Sequence, residues 1–360
     1  MTGPVPRVPA PERSGVPDIS VVIPVINGEG RLPACLEALR GTRARIEVVL
    51  VDNGSSDDSV DTARAAWPGV VVVSNPTNEG FAPACNQGAR AAVGRYLLFL
   101  NDDALVGLST LDDLLAAADR DEVAAAWQPP LVSADGLVWD SAGSRLTPVG
   151  LLWHEPAGKP VASAPRRAAR VFASKGACML VRTSNFWEVG GFDTSYFAYF
   201  EETDLCWRLA LRGYTCWLVD AAPVRHVGGA TATRLFTPGE LDYMFFRNRL
   251  TSLLTLPGPR TLATMVPLHL LAVAGLIVVA ILTGHAERAR GMLRAVAWVP
   301  AHRRELWERR RAEQRARTVE DDAVFRGVTT RPKLRSLAAA GLSYLANGKE
   351  PDRAVDPREH

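Results

Sequence analysis

Residues 46–58 read IEVVLVDNGSSDD. Five of the first six side chains are apolar, and a short run rich in β-branched residues predicts a strand buried on both faces. The run stops at Asp52-Asn53-Gly54, and the Ser/Asp cluster that follows can start a helix. The same order recurs on either side. ISVVIPVI (19–26) is followed by Asn27, VVVVS (70–74) by Asn75, and RYLLFL (95–100) by Asn101-Asp102-Asp103. Between these runs lie three helical stretches. One covers 31–40, with Leu32, Leu36 and Leu39 on one side. One runs from Asp57 or Asp58 to about Ala66, where Trp67-Pro68-Gly69 ends it. One covers 82–92. Short buried strands alternating with helices of about ten residues predict a mostly parallel sheet with helices on both faces. Ligands of such open sheets bind outside the carboxyl ends of the strands, which is where these polar groups fall.

Composition narrows the function. The 360 residues are 47% apolar and 22% charged, enough for a large core and against a disordered or fibrous chain. With 41 basic and 39 acidic residues the formal charge is +2, so nucleic acid is not an expected partner. Five cysteines form no CxxC pair, which predicts buried free thiols in a reducing compartment. The first strand leads into NGEGRL rather than GxGxxG, and no GxxxxGK[ST] follows any strand. A dinucleotide-dependent dehydrogenase and a P-loop phosphotransferase are therefore disfavoured.

Several polar groups are candidates for chemistry. Asp52 can accept from a ribose or base N–H, or can hold an Asx-turn. In NPTNEGFAPACNQG (75–88), Asn78, Asn86 and Gln87 offer amides to a polar ligand or to the backbone. Asn101-Asp102-Asp103 suits Mg²⁺ or Mn²⁺ with a diphosphate, or an acidic helix-capping loop. Glu201, Glu202 and Asp204 stand at the entrance to a helix ending near Gly213, where acids are favoured even without catalysis. Phe192, Tyr196, Phe197, Tyr199 and Phe200 can line an apolar wall of a ligand site or pack a core. His226, in VRHVGG, can complete an oxygen-rich metal site.

Residues 262–282, LATMVPLHLLAVAGLIVVAIL, carry no formal charge. As a helix they would be about 31 Å long, close to a bilayer core, although Pro267 and His269 fit lipid poorly. A helix in the core of a soluble protein is the other reading. Residues 284–317 then hold ten arginines and four glutamates. A basic segment beside a membrane favours the cytoplasmic side. A full crossing would put it opposite a cytoplasmic catalytic half, whereas a re-entrant hairpin broken at Pro267 or an interfacial seat keeps both on one side.

The ordered set SVVIPVIN, VVLVDNGSSDDS, NPTNEGFAPACNQG, LLFLNDD, GACMLVR, GGFDTSYFAYFEETDLCWR and RHVGG resembles the family 2 glycosyltransferases, especially bacterial rhamnosyltransferase-like members. The resemblance runs from residue 18 to about residue 250. It implies a GT-A nucleotide-sugar-binding fold, a divalent cation (Mg²⁺ or Mn²⁺) and inversion at the anomeric carbon. Asp52, Asn53, Asn78, Asn101 and Asp102 would then contact the donor, and Asp103 and His226 would hold the metal with the diphosphate. Glu202 takes the position of the catalytic base, where the family usually carries the shorter Asp. The resemblance further implies a cell-membrane enzyme with its catalytic domain on the cytoplasmic face. Its donor would be dTDP-rhamnose, or alternatively UDP-galactofuranose or another hexosyl donor, and its acceptor a cell-envelope glycan or lipid-linked sugar. A non-catalytic sugar-nucleotide or glycan-binding protein is the alternative that the Glu202 departure leaves open. The expected organisation is a Pro-rich disordered leader (1–17) and a catalytic domain (18–250, divided at 103/104). The membrane-associated helix (262–282), an Arg-rich helical tail (284–335) and a tail with a flexible end (336–360) follow.

Overall fold

In the computed structural model, residues 15–154, 156–163, 167–228 and 232–347 are described. Most of the expected leader and the last part of the tail lie outside them. The four strands read from sequence are present as Ile19–Val25, Ile46–Asn53, Val71–Asn75 and Tyr96–Leu100, all parallel. Helices Leu32–Ala38, Ser59–Ala66 and Phe81–Ala91 connect them. The sheet continues through Cys178–Arg182, antiparallel to Tyr96–Leu100, and then through Ala124–Gln128, Thr215–Leu218 and Ala169–Val171. The result is an eight-stranded, mostly parallel α/β sheet. Apolar side chains cover both faces. Val22, Val49, Leu97 and Phe99 pack on one face, and Ile23, Leu50, Leu98 and Leu100 on the other. That two-sided burial is what the unbroken apolar runs require.

A second, four-stranded sheet forms across the carboxyl edge. It pairs Ala104–Leu105 with Val224–His226, then with Leu131–Ser133 and Trp139–Ser141. His226 sits opposite Ala104, directly after the acidic triplet. This register brings two residues more than 120 positions apart to one edge.

Beyond residue 237 the chain is helical. Helix Pro238–Thr255 opens with a capping box between Thr237 and Glu240. The apolar segment forms one continuous helix, Pro259–Leu282, with Pro267 inside it. The hairpin reading is thereby corrected. Pro267 points outward, so its ring displaces no packed neighbour, and one missing N–H does not interrupt 24 residues. Helices Ala286–Ala301, Arg303–Ala316, Asp321–Phe325 and Leu334–Asn347 follow.

Candidate active site

The loops after the first two strands are tied together before any ligand enters. Asn27, at φ 51°, accepts the Ser56 N–H at 2.8 Å, and the Ser59 hydroxyl accepts the Gly28 N–H at 2.8 Å. Asp52 Oδ1 accepts the Ser55 N–H, three residues on, at 3.0 Å, so its side chain helps close the turn after its strand. Asn53 belongs to an amide lattice. Its Nδ2 donates to Asn78 Oδ1 at 2.8 Å, and its Oδ1 accepts from Asn75 Nδ2 and the Glu79 N–H, both at 3.0 Å. Asn78 also accepts the Gly80 N–H at 3.0 Å. Gly54, at φ +83°, lies so close to Thr77 that a Cβ would meet its backbone at 2.8 Å. The small residues thus let two loops close on one another.

The acidic triplet divides its work. Asn101 Nδ2 lies 3.3 Å from His226 Nε2. Asp102 is held by the Arg31 guanidinium, at 2.6 Å to Nη2 and 3.1 Å to Nε. Burial raises its pKa above the ordinary carboxyl value even so. Asp103 Oδ2 accepts the Gly228 N–H at 3.2 Å, while Oδ1 is buried without a hydrogen-bond partner. Oδ1 faces His226 Nε2 at 3.4 Å, close enough for charge attraction but outside hydrogen-bond geometry. Burial opposes ionisation of Asp103, but His226 and the Gly228 N–H outweigh it, and its pKa lies below the ordinary value. For His226, burial likewise opposes the charge, and Asp103 and Asp140 outweigh it, raising the pKa.

Asp140 was not anticipated from the sequence. Its Oδ2 lies 2.9 Å from His226 Nδ1, and Lys175 Nζ sits 3.0 Å from both of its oxygens. A carboxylate at Nδ1 favours the Nδ1–H tautomer and turns the Nε2 lone pair toward Asp103. Two acceptors then face one orphaned position, which a proton or a divalent cation can fill. Among the described residues no group of three His, Cys, Asp or Glu is arranged to hold a metal unaided. Two protein ligands with diphosphate oxygens completing the shell suit Mg²⁺ or Mn²⁺. The donor set therefore fits such an ion.

Glu202 occupies the first turn of helix Glu201–Leu211 and is half-buried. A Cβ added to Gly176 would lie 3.8 Å from Glu202 Cβ, so Glu202 adjoins the segment that carries Lys175. The turn before it is strained, with Tyr199 and Phe200 at φ 70° and 72°. Asn248 holds that turn by donating to the Ala198 and Tyr199 carbonyls at 2.9 and 2.7 Å. Asp204 is fully buried in ion pairs with Arg208 and Arg309 and accepts from Ser252, so it is committed to structure. Of the two readings of the five aromatic rings, core packing holds for three. Phe192, Tyr196 and Phe200 are buried in the core, Phe192 against Phe99 and Phe186. Phe197 packs on Phe236, and Tyr199 on Phe245.

The Glycosyl transferase family 2 profile matches residues 20–190. An N-acetylglucosaminyl-diphospho-decaprenol L-rhamnosyltransferase from Mycobacterium tuberculosis is 30% identical over 238 residues, covering 58% of this chain and 76% of the relative. Two solved structures share the fold at low identity. Staphylococcus aureus TarS (1–349) with UDP-GlcNAc superposes with a TM-score of 0.55 at 17% identity, covering 85% of this chain and 91% of that 1–349 chain. The mannosyltransferase PcManGT from Pyrobaculum calidifontis, in complex with GDP-Man and Mn²⁺, gives 0.52 at 17% identity, covering 85% and 87%.

Proposed function

Because this chain belongs to the family 2 glycosyltransferases and carries their GT-A fold, we propose that it moves a hexose, first choice rhamnose from dTDP-rhamnose, to a lipid-linked acceptor sugar with inversion. The observation that carries the reading is the Asp103–His226 pair, whose orphaned Oδ1 lies at the carboxyl edge of the sheet that also bears Asp52. The choice of rhamnose and of a polyprenyl-diphosphate-linked acceptor draws on the named activity of the mycobacterial relative.

In this reading Asp52 contacts the nucleoside, and Asn53 and Asn78 shape its loop. Asn101 steadies His226, and Arg31 holds Asp102 at the wall of the donor site. Asp103 and His226 would hold a divalent ion, which would offset the charge that builds on the departing diphosphate. Glu202 takes the proton from the acceptor hydroxyl as its oxygen attacks the sugar C1. The C1–O bond to the nucleoside diphosphate breaks on the opposite face, so one displacement inverts the centre and needs no protein nucleophile. The strained turn held by Asn248 fixes where Glu202 begins. The enzyme works at the cell membrane with its catalytic domain in the cytoplasm, where nucleotide sugars are made.

The test is a donor panel of dTDP-rhamnose, UDP-galactofuranose and UDP-GlcNAc with Mg²⁺ or Mn²⁺ and a polyprenyl-diphosphate GlcNAc acceptor. Release of dTDP with an inverted rhamnosyl product is expected. Release of UDP from another donor would move the assignment to that sugar. Saturable donor binding without release of any diphosphate would leave a binding protein.

A further inference from the structure

Helix Pro259–Leu282 is fastened along one side and bare along the other. Met265, His269, Val273, Ile277 and Ala280 form a buried stripe at helical spacing. His269 Nδ1 bonds the Val149 carbonyl at 2.9 Å, so even the polar residue in mid-helix is turned to the protein. The neighbours along this stripe are helices Pro238–Thr255 and Ala286–Ala301, which carry the buried cations Arg249 and Arg288. The opposite side presents Leu268, Leu271, Val278, Ile281 and Leu282, with Leu271 71% and Leu282 79% exposed. Only 28% of the most apolar part of this helix is buried, so it is not the core helix of a soluble protein.

We infer that this bare face is a docking surface for an anionic membrane leaflet, with the helix lying in the membrane plane and not crossing it. The inference rests on the membrane-associated reading above and specifies its geometry. A crossing helix would drag its lengthwise partners and their arginines into hydrocarbon, where unpaired charge is costly. A helix lying flat needs only its outer face in lipid. Charge points to the occupant. Arg260, three helical turns before Leu271 and on the same side, is exposed, and Arg290 and Arg294 are exposed on the adjoining helix. Basic residues beside an apolar face suit anionic headgroups. Both the catalytic domain and the tail then stay on one side of the bilayer.

The full-length chain can be tested with vesicles of phosphatidylglycerol and phosphatidylcholine, and with pure phosphatidylcholine. Wild type should co-sediment with the anionic vesicles and lose at least tenfold in binding on pure phosphatidylcholine or in high salt. Leu271→Glu with Leu282→Glu should lose at least tenfold on anionic vesicles while its melting temperature and turnover of a short water-soluble acceptor stay unchanged. In sealed vesicles carrying the protein, single cysteines at positions 240 and 330 should react with the same side's impermeant reagent. Labelling of 240 and 330 from opposite sides would overturn the flat seat yet keep membrane association. Absence of vesicle binding by wild type would overturn both. A detergent-free dimer that the Leu271→Glu change separates would show that a second copy covers this face, and would also overturn the proposal.

Discussion

Glu202 is the proposed base, and its chemistry can be separated from its fold. Glu202→Gln should keep the melting temperature and donor affinity but lose about 10²–10⁴-fold in transfer, the scale of general-base catalysis. Glu202→Asp should retain activity. Full transfer by a folded Glu202→Gln protein would remove this residue from the mechanism, and Asp204 cannot replace it, since its oxygens are held by Arg208, Ser252 and Arg309. The proposed metal pair offers a second measurement. Asp103→Ala should lower transfer at least about 10²-fold, because it would remove a fixed ligand of the cation that offsets the charge developing on the diphosphate. Asp140→Asn should weaken Mn²⁺ binding in the presence of nucleoside diphosphate about 10–100-fold, the usual cost of losing a carboxylate behind a histidine ligand. An Asn amide can donate to Nδ1 and put the proton on Nε2, where it faces Asp103. Unchanged Mn²⁺ titration in Asp140→Asn, beside loss in His226→Ala, would confine the site to the two nearer residues. Asp52, Asp103 and His226 could be singled out as candidates because each stands at or just beyond the end of a strand. Asp140 and Lys175 could not, since WDSAG and SKGAC carry no local sign of one another and only an ion pair across the fold joins them.

The elements themselves were read well where periodicity was clean. The four parallel strands stand within a residue or so of the expected limits because each is buried on both faces. Sequence left two readings open where one pattern serves two ends. The aromatic run 192–200 looks the same whether it lines a ligand site or a core, and packing decided for the core at Phe192, Tyr196 and Phe200. His269 argued against lipid by its polarity, yet it is fully buried on the protein side of its helix. Burial first, with Arg249 nearby, lowers its pKa to about 3 against the partial support of the Val149 bond. The unfolded value is about 6.5, so the unfolded chain binds the extra proton first as pH falls. This contribution is complete above about pH 6.5 and is lost toward pH 3, by up to ~1.4 kcal/mol per unit. Urea unfolding at pH 7.5 and 5 should show wild type losing more stability than His269→Gln. Equal losses would mean that His269 is not the responsible group.

At the scale of the molecule, the basic tail is structural as well as superficial. Arg309 reaches from helix Arg303–Ala316 to Asp193 and, at 2.5 Å, to Asp204, two residues beyond the proposed base. Arg310 and Gln314 donate to the Leu254, Thr255, Leu256 and Pro257 carbonyls, at the end of helix Pro238–Thr255. The sequence reading treated these charges as a segment meant for solvent or lipid, because ten arginines in one stretch hide which of them have a buried acid to meet. Arg309→Ala should cost about 3–5 kcal/mol, the range for breaking a buried pair. A fall in melting temperature with the donor KM nearly unchanged is expected. Unaltered stability would mean that the tail is only loosely held.

The Asp204–Arg309 bond has a practical corollary for anyone dividing this protein. Trimming the chain after residue 258 looks like a route to a soluble enzyme, because it removes the greasy helix and everything after it. It would also take Arg309 from Asp193 and Asp204, strip the donors from four carbonyls, and bare the side of helix Pro238–Thr255 that packs on three later helices. Catalytic half and tail thus behave as a single piece: a chimera that exchanged one without the other would have to restore the acid–base match at that seam.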